Sequence, residues 1–248
     1  MFPIRDNVPR QGIPVVTWAL IAANTAVFLY LTRLDKNTQQ QFFYIFGLVP
    51  ARFSHPAWAE SVGFPDQSYL PFLTSMFLHG GWLHLIGNMW VLWIFGESVE
   101  FRMGAARYFV FYMLIGLIAA VTQWATNIDS MMPTVGASGA IAGVLGAYLF
   151  LYPRARLLVM IPLLLIPFFF EIPAFLFLVI WFLAQIFSGT LTTLQGADVG
   201  GIAWWAHVGG FVSGALLHWF FLLPRRLRLQ PLKQVEERNV EGAWHDRF

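Results

Sequence analysis

The stretch TVGASGAIAGVLGAYLFLY, residues 134–152, carries no charge and sets one hydroxyl, that of Ser138, among glycines and alanines at the head of an apolar run. From Ser138 to Tyr152 that run is long enough for about four helical turns, at ~3.6 residues per turn. Gly139, Ala142, Gly143 and Gly146 then line one small-residue surface beside Ser138, against which another helix can come close. The reading of this segment depends on whether its surroundings are water or hydrocarbon.

The rest of the chain answers that. Of 248 residues, 58% are hydrophobic and 11% charged, against the ~25% charged share of soluble domains. So few charges cannot cover a water-soluble surface. Apolar runs recur at 14–31, 82–95, 108–125, 138–152, 157–187 and 202–223, several near the ~20 residues of a bilayer-spanning helix. Between 157 and 188, Pro162, Pro167, Glu171 and Pro173 interrupt the first half. The pattern predicts a helix over 172–187, with Pro173 at an early position where its missing N–H does no harm and Glu171 at the positive end. Residues 157–170 are then expected as a re-entrant or interfacial loop. The expected fold is an all-α polytopic membrane protein of six spans.

With the N-terminus inside, twelve Lys and Arg residues face the cytoplasm, from Arg5 to Arg247, against Arg33, Lys36 and Arg52 outside. That bias places both termini in the cytoplasm. The expected organisation is a cytoplasmic segment at 1–13, a membrane domain at 14–223 and a polar cytoplasmic tail at 224–248. An outer loop at 33–78, rich in aromatics and prolines such as Trp58, Phe64 and Pro71, is expected to rest in the membrane interface. The net charge of +2 reflects cytosolic flanks and gives no reason to invoke nucleic acid. The absence of cysteine excludes a thiol nucleophile, disulfides and thiolate-held metal.

Polar residues inside spans are expensive and mark function. His84 and Asn88 share a helical face at i, i+4 near the outer end of the second span. Ser138 heads the fourth and His207 lies in the sixth. At ~1.5 Å per residue, Ser138, His207 and His84 stand roughly 21, 24 and 20 Å above the cytoplasmic ends of their helices, at one level. His207 shares its face with Ala203, Gly210 and Gly214, a stripe that matches the small surface of the fourth span. Packing these two faces would bring Ser138 within hydrogen-bond reach of His207. His207 could then take the serine proton as Ser138 attacks a carbonyl, and deliver it to the leaving amine. The Ser138 backbone N–H with the side chains of His84 and Asn88 could hold the oxyanion.

Three segments, HGGWLHLIGNMWVLWIFG (79–96), GASGAIAGVLGA (136–147) and AHVGGFVSG (206–214), resemble the signature segments of rhomboid intramembrane serine proteases. The resemblance runs over about 72–222 in order and spacing, and takes in VEFRMG and YPRAR. It implies a six-helix rhomboid-type bundle that cuts membrane proteins in or near their transmembrane segments, with no metal or cofactor. It implies Ser138 as nucleophile and His207 as base, a dyad without an acid, with His84 and Asn88 at the oxyanion. Gly139, Gly210 and Gly214 then serve packing, and His79, Glu100, Gly136 and Gly143 are structural residues near the site. The expected surroundings are transmembrane protein substrates and lipid, in a bacterial cytoplasmic membrane, with the site opening outward.

The chain departs from the family in two places. Members commonly carry an aromatic residue one turn after the serine, under the histidine ring, where this chain has Ala142; Phe211, Trp204 and Trp205 are the alternatives. The Trp-Arg pair frequent in the first outer loop is also missing. Other intramembrane proteases are disfavoured by residues: there is no His-Glu-x-x-His, and Asp129 and Asp198 fall in outer loops. The Gly-x-Ser-x-Gly elbow is absent too, because Ala140 stands where the second glycine belongs. Two other classes compete: a catalytically silent rhomboid-like protein that binds membrane helices, and a transporter with polar residues along its path. The intact polar set disfavours the first, and the lack of an inverted-repeat pattern the second.

Overall fold

The computed structural model describes residues 2–10, 12–64, 68–163, 166–194 and 202–224. Among the described residues, six longer helices make its body: α1 (Val15–Leu31), α6 (Trp82–Met103), α7 (Ala105–Thr126), α8 (Ser138–Leu151), α9 (Ala174–Leu194) and α10 (Trp204–Phe221). Between α1 and α6 lie α2 (Lys36–Phe46), α3 (Pro50–Ser54), α4 (Pro56–Ser61) and α5 (Pro71–Thr74), followed by one 3₁₀ turn at Ser75–Phe77. Proline at the first position starts three of these short helices, where its fixed φ suits the helix and no amide is needed.

The stretch that opened the sequence forms the centre. α8 is apolar around its whole circumference, and every residue from Gly139 to Tyr148 is buried, as a helix enclosed on all sides requires. Packed around it are α6, α7, α9 and α10. The outer faces of these helices are apolar as well: Leu83 is 88% exposed, Phe220 79% and Phe187 70%. An exterior of that kind fits hydrocarbon rather than water. α7 and α9 are long and apolar enough to cross a membrane, with mean hydropathies of 1.8 and 2.0, while α1 and α8 are apolar but shorter.

Two tertiary devices fix the frame. Glu100 of α6 accepts from the backbone N–H of Val16 (2.9 Å) and Thr17 (2.8 Å) and from the Thr17 hydroxyl (2.8 Å). It satisfies the free amides at the start of α1, where Pro14 offers no capping side chain. Gly104, at φ +77°, turns the chain directly from α6 into α7, a left-handed conformation that other residues rarely adopt.

The fold departs from the all-α expectation. β1 (Phe2–Asp6), β2 (Arg156–Leu163) and β3 (Ile166–Pro173) form an antiparallel sheet in the order β1-β2-β3. Residues 157–163 and 166–170, expected in a re-entrant or interfacial loop, are therefore strands. Ala155, Leu157 and Val159 are buried and their neighbours are not, a two-residue alternation hidden in the sequence because the outward positions are apolar too. Pro162 faces Pro167 across the ladder near the end of the hairpin, where the lost amides interrupt few bonds. Glu171 does not sit at a helix end: it lies in β3 and accepts from Arg156 Nε at 2.9 Å, both side chains being exposed. α9 starts at Ala174, just past Pro173, and runs to Leu194, a turn or more beyond the expected end.

The sheet is tied to the helices by Asp6. Its Oδ2 accepts from the Tyr148 hydroxyl (2.7 Å) and from Ser98 Oγ (3.1 Å), and Trp90 Nε1 donates to the Pro3 carbonyl (2.7 Å). The expected polar tail, from residue 225 onward, lies outside the described residues, as does Asp198.

Candidate active site

α8 and α10 cross through their glycines. A Cβ added to Gly210 would meet the Gly139 carbonyl, and one added to Gly214 would stand 2.5 Å from the Gly143 Cα. On its other side α8 meets α7, where a Cβ on Gly139 would lie 2.7 Å from that of Ala119. The small-residue faces read from the sequence are thus the ones in contact. Their closeness brings His207 Nε2 to 2.8 Å from Ser138 Oγ.

Ser138 is the first residue of α8, so its amide and those of Gly139 and Ala140 have no acceptor within the helix and point their positive ends outward. Just before it, Gly136 holds φ +130° and donates its N–H to the Ser75 carbonyl at 2.9 Å. The His84 imidazole lies over this glycine: an added Cβ would be 2.7 Å from His84 Nε2 and 3.6 Å from Asn88 Nδ2. Asn88 Nδ2 is also 3.0 Å from His79 Nε2. Because an amide nitrogen only donates, His79 accepts there through a bare Nε2 and carries its proton on Nδ1. His79 precedes α6, and burial first, then the neighbouring His84, lowers its pKa to about 4 against a smaller rise from the Phe77 carbonyl, so it stays neutral.

The sequence left open what positions His207 in place of an aromatic at residue 142. Ala142 is buried against the helices around it, and the rings come from elsewhere. Trp181 of α9 lies at 5.9 Å from the His207 ring, inclined by 34°, and Trp204 meets its edge at 6.3 Å. Phe211 makes ring contacts with Trp181 (6.1 Å) and Phe182 (4.4 Å), behind the site, while Trp205 Nε1 donates to Thr193 Oγ1. Of the alternatives, Trp204 touches the ring directly and Phe211 backs Trp181.

Sequence reasoning missed Gln185. Its Oε1 lies 2.7 Å from His207 Nδ1. The signal was present, since Gln185 is the one strongly polar residue in AFLFLVIWFLAQIF, and polar groups in an apolar span are costly. Gln123 of α7 accepts from the Ala206 N–H at 3.2 Å, which satisfies a free amide in the first turn of α10 beside His207. It also lines a cavity of about 310 Å³ with His84, Asn127, Thr134, Thr192 and Trp204. A smaller space lined by Ser138, Gly136, Gln123 and Ala206 lies beside it.

Comparison with known proteins bears out the family resemblance. The family model of the Rhomboid domain matches residues 66–224, and the chain belongs to the rhomboid family. It is 31% identical over 162 residues to "Rhomboid protein 1, mitochondrial" of Saccharomyces cerevisiae, covering 62% of this chain and 42% of the relative. It is 30% identical over 141 residues to "Rhomboid protease GluP" of Bacillus subtilis, covering 57% of this chain and 25% of the relative. "Rhomboid-like protein 11, chloroplastic" of Arabidopsis thaliana is 30% identical over 124 residues, or 49% and 40%. The chain spans less than half the length of each of these relatives.

Proposed function

We propose that this chain is a serine endopeptidase that hydrolyses peptide bonds in or near transmembrane segments of membrane proteins. The observation that carries the reading is the 2.8 Å approach of His207 Nε2 to Ser138 Oγ across two glycine-packed helices. Ser138 Oγ attacks the substrate carbonyl carbon as its proton passes to His207 Nε2. The oxyanion lies at the free amides of the α8 N-terminus, beside His84 and Asn88. Collapse breaks the C–N bond and returns the proton from His207 to the departing amine. Water drawn from the cavity above the serine then hydrolyses the acyl ester, with His207 again as base.

The reading includes six membrane crossings, by α1 and α6 to α10. Backbone pairings support an even count wherever they join distant segments. β1 pairs β2 with four of these helices between them, and Leu48 bridges Thr134 with two between. The Leu223 amide donates to the Arg102 carbonyl at 3.0 Å, again with four between. Together with the charge bias, these pairings support a reading in which the sheet and both ends of the bundle face the cytoplasm and the cavity faces outward. The membrane domain at 14–223 and the cytoplasmic tail belong to the same reading. A bacterial cytoplasmic membrane rests on the sequence argument alone, because the relatives' names include mitochondrial and chloroplastic proteins.

The test treats detergent-solubilised protein with a fluorophosphonate probe, for wild type, Ser138→Ala and His207→Ala. Labelling of wild type alone is expected. Equal labelling of all three removes the dyad, and no labelling of any favours a binding protein that has lost catalysis.

A further inference from the structure

We propose that Gln185 is a positioning residue that locks the His207 imidazole into the tautomer able to accept the Ser138 proton; this rests on the protease reading above. Gln185 is 6% exposed and sits on α9, one turn after Trp181. Its Nε2 donates to the Trp181 carbonyl at 3.1 Å. A carbonyl oxygen only accepts, so this bond decides which end of the amide is which. The nitrogen is committed to α9, and Oε1 is the end turned to His207. Facing an acceptor at 2.7 Å, His207 Nδ1 must carry the hydrogen. Nε2 is therefore bare, and its lone pair faces Ser138 Oγ at 2.8 Å.

A neutral imidazole without such a partner divides between two tautomers, and the one protonated at Nε2 cannot act as base. Gln185 removes that loss and holds the ring plane against rotation. When His207 becomes an imidazolium during attack, the same Oε1 dipole remains on its Nδ1–H. The role is the one a buried carboxylate plays in a serine-histidine-aspartate triad, performed by a neutral amide. An amide gives less stabilisation of the cation, but leaves no carboxylate to be desolvated among apolar helices. Among the described residues the hydrogen-bond partners of the His207 ring are Gln185 and Ser138, neither of them charged, and the titratable neighbour that acts on it is His84 of α6. The ring bed and the acceptor both come from α9, since Trp181 supplies one and Gln185 the other. That arrangement accounts for the tolerance of Ala142 in α8.

The experiment measures kcat, KM and the pH–rate profile of the full chain on a transmembrane reporter substrate. The variants are Ser138→Ala, Gln185→Met, which keeps volume and helix preference, and Gln185→Glu, which keeps the acceptor. Gln185→Met is expected to lower kcat roughly 10–100-fold with KM within about 3-fold, the range for losing one buried acceptor. Gln185→Glu is expected to restore most of kcat and to move the acid limb up by about one pH unit or more, because a carboxylate favours the protonated, inactive imidazole. The shifted limb is readable even if Gln185→Met does not fold, since packing alone would not move it. Wild-type kcat in Gln185→Met, or an unmoved limb in Gln185→Glu, overturns the proposal while Ser138→Ala remains inactive. Activity in Ser138→Ala instead overturns the protease reading itself.

Discussion

Adding one methyl group at Gly210 tests whether glycine contact is what brings the serine to the histidine. The new Cβ would stand 2.9 Å from the Gly139 carbonyl carbon and overlap its oxygen. Both are backbone atoms, so no side chain can turn aside, and carbon contacts settle only near ~3.5 Å. α8 and α10 must therefore part by about 1 Å at this level. Gly139 adjoins Ser138 and Gly210 is three residues from His207, so the separation falls at the dyad. Its 2.8 Å hydrogen bond would open toward about 4 Å, beyond effective reach. A displacement of ~1 Å costs about 10²-fold in rate, and overpacking about 1–3 kcal/mol in stability. Gly87→Ala is the control, because an added Cβ there meets nothing within 4 Å, and alanine in a helix interior adds roughly 0.5–1 kcal/mol. Cleavage rate and thermal unfolding are measured for both. Gly210→Ala within 3-fold of wild-type kcat, by the ~10²-fold standard above, would show that helix spacing does not set the dyad.

Two further substitutions probe the surroundings. Gly136→Ala places a Cβ 2.7 Å from His84 Nε2 at a backbone with φ +130°; activity is expected to fall about 10²–10³-fold, as for the loss of an oxyanion donor, and unchanged probe labelling would refute this. Glu100→Ala leaves the Val16 and Thr17 amides and the Thr17 hydroxyl without their acceptor, and is expected to destabilise by about 3 kcal/mol or more. Hydrogen exchange in the first turn of α1 should quicken, and identical exchange there would show that the cap is idle.

The sequence made legible what depends on helical periodicity and on the cost of polar groups in hydrocarbon. Ser138 and His207 were found because each breaks an apolar run, and the α8–α10 contact because Gly139, Gly143, Gly210 and Gly214 recur at a helical interval. The sheet escaped because its partners are remote: Asp6 pairs with Leu157, and nothing near Phe2–Asp6 announces the match. Outward apolar residues on β2 also erased the alternation that marks a strand with one wet face. Gln185 escaped for a different reason. A single amide reads as tolerable in a long span, and its partner on another helix becomes visible only when α9 is turned to face α10.

The long-range pairing of β1 has a consequence for biogenesis. Asp6 meets Tyr148, and β1 finds β2, only after about 150 further residues are synthesised, which at ~5–20 residues per second is roughly 7–30 s. During that interval the N-terminal strand has an open edge and no sheet to join, while α1, α6 and α7 are already made. Ser98 and Trp90 of α6 are within reach earlier, but β1 gains its strand partner only after α8 is complete, so it is fastened later than the helices that follow it. A ribosome pause placed before Arg156 would hold the nascent protein with its helix bearing Ser138 formed but unlatched.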